Sequence, residues 1–166
     1  FYSSRPEEEQ QFFRRASLLT TIDRKIIDFL FKSDKAETIL TALENSQLPL
    51  IRRLNGGYEL HAFFRDFLTE KLLAMDGAER KQRLHAQLAT LYEALGNWNQ
   101  AIHQCLEAKD WSGASRLLID HRDDLLKTSA PFLKSSIDRI PLDYFFSDIG
   151  LVDLKAETLN HLEDLA

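Results

Sequence analysis

A mainly helical fold, with one short β-hairpin followed by antiparallel helix pairs, is predicted by three features of the sequence. Apolar residues recur at helical spacing along most of the 166 residues. Only four Pro and six Gly interrupt them. One short stretch, centred on Asn55-Gly56-Gly57, changes to strand-and-turn composition.

The first helices are read from their caps and faces. Ser4, Pro6 and Glu7 read as a capping box with proline in the first turn, opening a helix that carries Phe12, Ala16 and Leu19 on one face. Thr21 or Asp23 caps a second, with Ile22, Ile26, Phe29 and Leu30 facing inward. Asp34 caps a third, marked by Ala36, Ile39, Leu40 and Leu43. The period then changes. Pro49–Leu54 and Tyr58–Leu60 flank Asn55-Gly56-Gly57, a hairpin signal because such turns need positive φ. Three short helices and a hairpin spell a winged helix.

Beyond the hairpin the pattern is helical again. Phe64, Phe67, Leu68 and Leu72 lie at helical spacing, so a buried helix is expected from about Ala62 to Met75, broken by Asp76-Gly77. The next carries Leu84, Leu88, Leu91, Tyr92 and Leu95 on one face and stops at Gly96. A short echo follows: Asn97-Trp98-Asn99-Gln100-Ala101 and Asp110-Trp111-Ser112-Gly113-Ala114. In each copy the polar residue caps a helix, the Trp fills the groove to its neighbour, and the Ala permits close approach. Leu91-Tyr92, Leu95-Gly96-Asn97-Trp98 and Ala101 resemble a tetratricopeptide repeat, although only one repeat approaches that consensus. Further on, Pro131–Ile140 reads as helix, Pro141 as a break, and Leu151–Leu165 as a last helix. Its Leu151, Leu154, Leu159 and Leu162 look for a partner beyond Ala166. The expected division is a winged-helix domain over 1–61, a helical arm over 62–128, and the start of a further helical repeat region over 129–166.

Composition narrows function more by exclusion than by assignment. The single Cys105 forms no internal disulfide, which fits a reducing cytoplasm. No apolar run is long enough to cross a membrane, and no signal peptide is present. A chain that begins at Phe1 and stops within a helical pattern is expected to be part of a longer protein. A net charge of −5 argues against bulk electrostatic binding to nucleic acid or anionic membrane. The segment 34–47, where a winged helix would read DNA, holds one cation (Lys35) against three anions (Asp34, Glu37, Glu44). Base reading needs cations and amides facing the duplex, and Arg52 and Arg53 on the hairpin are not enough.

The run Gln11-Phe12-Phe13-Arg14-Arg15-Ala16-Ser17-Leu18-Leu19, with His61-Ala62-Phe63-Phe64-Arg65-Asp66-Phe67-Leu68, resembles the winged-helix region of signal-transduction ATPases with numerous domains. The branch it looks like is that of the bacterial maltose-regulon activator and large LuxR-type transcriptional regulators. The likeness continues through Leu84-His85, Leu95-Gly96-Asn97-Trp98, Lys109-Asp110-Trp111 and, more faintly, Ile137-Asp138-Arg139-Ile140-Pro141. It implies a region lying between an ATPase module and a helical sensor. No phosphate-binding loop, Gly-x-x-x-x-Gly-Lys-Ser/Thr, is present, so catalysis is not expected of this chain and no catalytic residue is assigned. By the same resemblance, ATP or ADP is a cofactor of the parent protein only. The implied partners are the parent's own ATPase and sensor domains, with a further protein partner or self-association possible and DNA not expected.

One site residue carries over. In the wider family a Met/Leu-His-Asp motif places a histidine on the β-phosphate of ADP. Leu60-His61 matches it, while Ala62 replaces the acid and leaves that role unsupported. From the residues alone, His61 is either a packed histidine at a strand–helix junction or a phosphate contact. The family's histidine after Ala-Ile-x is displaced: Gln104 holds that place and His103 precedes it. Arg65-Asp66 reads as a surface or interdomain ion pair. His103 and Cys105, two apart on a helix, point in different directions, and no second ligand pair completes a metal site. Trp98 and Trp111 read as packing keys. Two other functions remain open: a DNA-binding winged helix with a helical dimerisation arm, and a helical protein-binding scaffold.

Overall fold

Pro6 fixes where the first long helix begins. The computed structural model describes residues 2–4, 6–31, 41, 50–53 and 57–164. Pro6, with φ −51° and ψ 145°, occupies the N-cap of α1 (Glu7–Ala16), after a 3-10 turn over Tyr2–Ser4. Glu7 is thus the first helical residue rather than the third, which corrects the capping box expected from Ser4. Its carboxylate accepts a hydrogen bond from Arg14 Nη2 at 2.8 Å. Phe12, Phe13 and Ala16 are buried; Leu19 is buried as well, but beyond the end of the helix.

Ile22 belongs to a strand-like segment and not to the second helix. Its N–H donates to Tyr58 O at 2.6 Å, and Tyr58 N–H donates to Ile22 O at 2.9 Å. The pairing with Tyr58 buries the Ile22 side chain and satisfies its backbone, so tertiary pairing outweighs the local pattern. Of the two expected caps, Asp23 opens α2 (Arg24–Phe31): its Oδ1 accepts from Ile26 N–H at 3.0 Å. Ile26 and Ile27 are buried, and Phe29 is half-buried. The third helix expected from Asp34, Ala36, Ile39, Leu40 and Leu43 lies outside the described residues. So do Pro49, Leu54, Asn55, Gly56, Leu165 and the side chain of Leu30.

The hairpin forms as expected. β1 (Leu50–Arg52) pairs antiparallel with β2 (Tyr58–Leu60) in the register Leu50↔Leu60, Ile51↔Glu59, Arg52↔Tyr58. Arg53 N–H donates to Gly57 O at 2.8 Å, one pair closer to the turn. Tyr58 and Leu60 point into the core, which puts Ile51 and Glu59 on the outer face.

α3 (Ala62–Asp76) leaves β2 directly and packs on α1. Leu68 and Leu72 are fully buried. Phe64 and Phe67 are half-buried and stack on each other at 6.2 Å, Phe64 also meeting Phe13 at 6.3 Å. Gly77, at φ 81°, ends the helix, a backbone conformation open chiefly to glycine.

α4 (Ala78–Ala94) buries Leu84, Leu88, Leu91 and Tyr92 and gives way at Gly96, φ 69°. Leu95, expected on the same face, is exposed just past the helix. The echo is structural. Asn97 Oδ1 accepts from Gln100 N–H at the start of α5 (Trp98–Glu107), and Asp110 Oδ1 accepts from Gly113 N–H at the start of α6 (Trp111–Asp120). Each cap follows a left-handed residue, Gly96 or Lys109 (φ 58°), and donates its own N–H five residues back, Asn97 to Tyr92 O and Asp110 to Cys105 O. Ala101 and Ala114 are completely buried, and α5 packs on α6.

The C-terminal helices differ from expectation. α7 (Arg122–Asp138) starts earlier than Pro131 and is kinked at Ser129 (φ −156°, ψ 44°). Pro131, two residues on, accounts for the kink, since it lacks the N–H that would bond Lys127 O and its ring crowds that carbonyl. α7 ends at Asp138, leaving Ile140 buried beyond it. After Pro141 comes a short helix the apolar pattern did not signal, α8 (Leu142–Ser147), and then α9 (Ile149–Asp164). α9 packs on α6, α7 and α8, so Leu151 and Leu154 find their partners within the chain and not beyond Ala166. Thr158, bonded to Leu154 O at 2.6 Å, takes the third buried place; Leu159 is exposed.

Two compact units divide the chain, Phe1–Lys81 and Gln82–Ala166. The boundaries expected from the sequence lie after His61 and Thr128; by contacts, α3 lies with the first unit, packed on α1, and α7 runs through residue 128. Among the described residues no helix is long and apolar enough to cross a membrane.

Candidate functional site

His61 stands at the N-cap of α3, one residue after β2 ends. Its φ of −56° and ψ of 139° turn the chain from strand to helix. Its carbonyl starts the helix by accepting from Phe64 N–H and Arg65 N–H, both at 3.0 Å. The side chain makes no capping bond and is exposed.

A three-residue charge cluster lies beside it. Glu59, on the outer face of β2, accepts from Arg53 Nη2 and from Arg65 Nη2, the latter at 3.3 Å. Hydrogen bonding from Arg53, aided by Arg65, holds the Glu59 carboxyl below its ordinary range even though partial burial works the other way. Arg65 Nη2 also donates to Leu60 O at 3.2 Å, tying the strand end to the first turns of α3. Arg65 therefore turns to Glu59 and Leu60 rather than to Asp66, its expected partner, which is exposed. Arg65 Nε is buried with no hydrogen-bond partner among the described residues. Phe63, in the first turn of α3, is 81% exposed, and Ala62, in the place of the family's acid, is exposed too. Sequence reasoning missed Glu59; the signal was its position opposite Ile51, on the outward side of the hairpin.

The remaining candidates resolve into packing. Cys105 is buried, and burial pushes its thiol up to about 11, the reverse of what a nucleophile or metal ligand needs. His103 is half-buried, and burial lowers its affinity for a proton against the pull of Glu107. No group of three His, Cys, Asp or Glu side chains among the described residues is placed to hold a metal. Gln104 is buried with His85, Oε1 to Nδ1 at 2.6 Å, so the place where the family carries a histidine is a core hydrogen bond here. Trp98 stacks face to face on His121 at 3.7 Å, which occupies that face of the indole.

Short helices, a strand-like segment and a hairpin, with a helix springing from the second strand, define residues 2–81 as a winged helix domain. Those residues match the family of the MalT winged helix domain. They are a MalT-type winged helix domain, found in MalT/LuxR-type regulators of the signal-transduction ATPase class. No curated protein matches the chain.

Proposed function

We propose that the chain is a regulatory region of a cytoplasmic LuxR-type transcription regulator of the signal-transduction ATPase class. In this reading the winged helix closes on the parent's ATPase module, His61 meets the β-phosphate of ADP, and α3 passes the nucleotide state into a helical, tetratricopeptide-like arm. The observation that carries it is the exposed imidazole of His61 at the start of α3, within the matched domain. A helix N-terminus favours negative charge, and the neighbouring Glu59 carboxylate is already matched by Arg53 and Arg65. An anion approaching His61 therefore meets little net repulsion from the hairpin.

The test is ADP affinity of the full-length regulator with His61→Ala. Losing a hydrogen bond to a charged group is worth about 1.5–3 kcal/mol, so affinity is expected to fall roughly 10- to 100-fold, with a rise in basal activity. Unchanged affinity and activity reject the sensor role. DNA binding through this region stays disfavoured, since among the described hairpin residues Arg53, though exposed, is already paired with Glu59. Salt-sensitive duplex binding would revive that reading, together with a dimerising arm. A second reading, a helical scaffold for a protein partner, is favoured by the exposure of Leu142, Phe146 and Ile149 on α8 and α9. Capture of a defined partner regardless of nucleotide would support it.

A further inference from the structure

The guanidinium of Arg14 ties the start of its own helix α1 and the Tyr2–Ser4 turn before it to the distant C-terminal end of α3. Arg14 is 2% exposed. Its Nε donates to Asp76 Oδ2 at 2.7 Å, its Nη1 to the Tyr2 hydroxyl at 2.9 Å, and its Nη2 to Glu7 Oε1 at 2.8 Å. Asp76 is the last residue of α3, and Gly77 after it makes the turn into α4. Nothing lies within 4 Å of where a Cβ on Gly77 would stand. At the other end of the link, the Tyr2 ring packs edge-on against Phe67 at 5.6 Å, and its hydroxyl donates to Gln10 O at 3.4 Å.

We propose that Arg14 is a positioning residue that couples the Tyr2–Ser4 turn to the joint between α3 and α4. A buried guanidinium is costly to leave short of partners, so its acceptors hold together or release together. Moving the Tyr2–Ser4 turn away withdraws the phenol from Arg14, lets the guanidinium shift, and loosens its hold on Asp76. Motion of the segment that enters α1 thus reaches the point where α4 departs, through one side chain. The link does not depend on what His61 binds.

Amide hydrogen exchange on the whole chain tests it. Tyr2→Phe keeps the ring against Phe67 and removes the hydroxyl. It is expected to speed exchange at the Gly77 and Lys81 amides, which bond to Leu73 O and Gly77 O, about fivefold. The amides of Asn97 and Asp110, in the second unit, keep their rates. Asp76→Asn is expected to speed the same two amides, and adding Tyr2→Phe to it gives little more, because both act through Arg14. Exchange that changes only near Tyr2, rises equally at Asn97 and Asp110, or multiplies in the double variant overturns the proposal.

Discussion

Lys109 holds a φ of 58° between α5 and α6, the conformation that Gly96 adopts at the matching place between α4 and α5. A side chain in that region costs about 1–2 kcal/mol, and glycine's extra freedom in the unfolded chain returns roughly 0.5–1 kcal/mol of this. Lys109→Gly is therefore expected to stabilise the protein by about 0.5–1 kcal/mol in urea unfolding. Gly113 makes the opposite case. A Cβ there would stand 2.4 Å from Asp110 Oδ2 and 3.2 Å from Cys105 Sγ, so Gly113→Ala displaces the cap of α6. It is expected to cost about 1–3 kcal/mol in the same measurement. Both caps were legible in the sequence because Asn or Asp before a Trp-led apolar run is a local signal. Lys109's conformation was not, because lysine gives no hint of positive φ.

The hairpin carries the pH dependence that belongs to an element. Arg53 and Arg65 hold Glu59 below its ordinary value of 4.5, so the folded state binds the Glu59 proton less readily than the unfolded state. The stabilisation is complete above pH 4.5 and is lost as pH falls through the lower folded value. Arg53 is largely exposed, so the effect stays below about 1 kcal/mol. Glu59→Gln is expected to weaken the hairpin amides' protection at pH 6, and progressively less as the pH falls below 4.5, as read by hydrogen exchange. At this scale the period-2 pattern and the turn residues made the hairpin visible. They did not reveal the pairing of Ile22 with Tyr58, since a single bridge residue has no periodicity. Likewise α8 is too short for a repeating pattern, and Thr158 replaces an apolar residue on the buried face of α9.

A buried core stabilises each of the two units. Leu68 anchors the first unit, and Leu133 lies fully buried in α7 of the second. Either leucine cut to alanine is expected to cost about 2–5 kcal/mol. Because the contacts cluster in two units, denaturation followed by tryptophan fluorescence, which reports Trp98 and Trp111 in the second unit, should shift with Leu133→Ala. Far-ultraviolet circular dichroism, which sees both units, should shift with either variant. Coincident shifts by both probes for Leu68→Ala would mean that the units unfold as one.

The sequence by itself determined the helical class, the hairpin, the α5 and α6 caps and the winged-helix likeness. Each of these rests on neighbours within a few residues, where spacing and backbone preference act directly. Only the tertiary structure decided that Arg14 lies buried among Tyr2, Glu7 and Asp76, and that Arg65 turns to Glu59. It also decided that the Leu151 face of α9 closes on its own chain, and that α3 belongs with the first unit. Those outcomes depend on which distant side chains meet, and a charge or an apolar face does not specify its partner until packing brings one within reach.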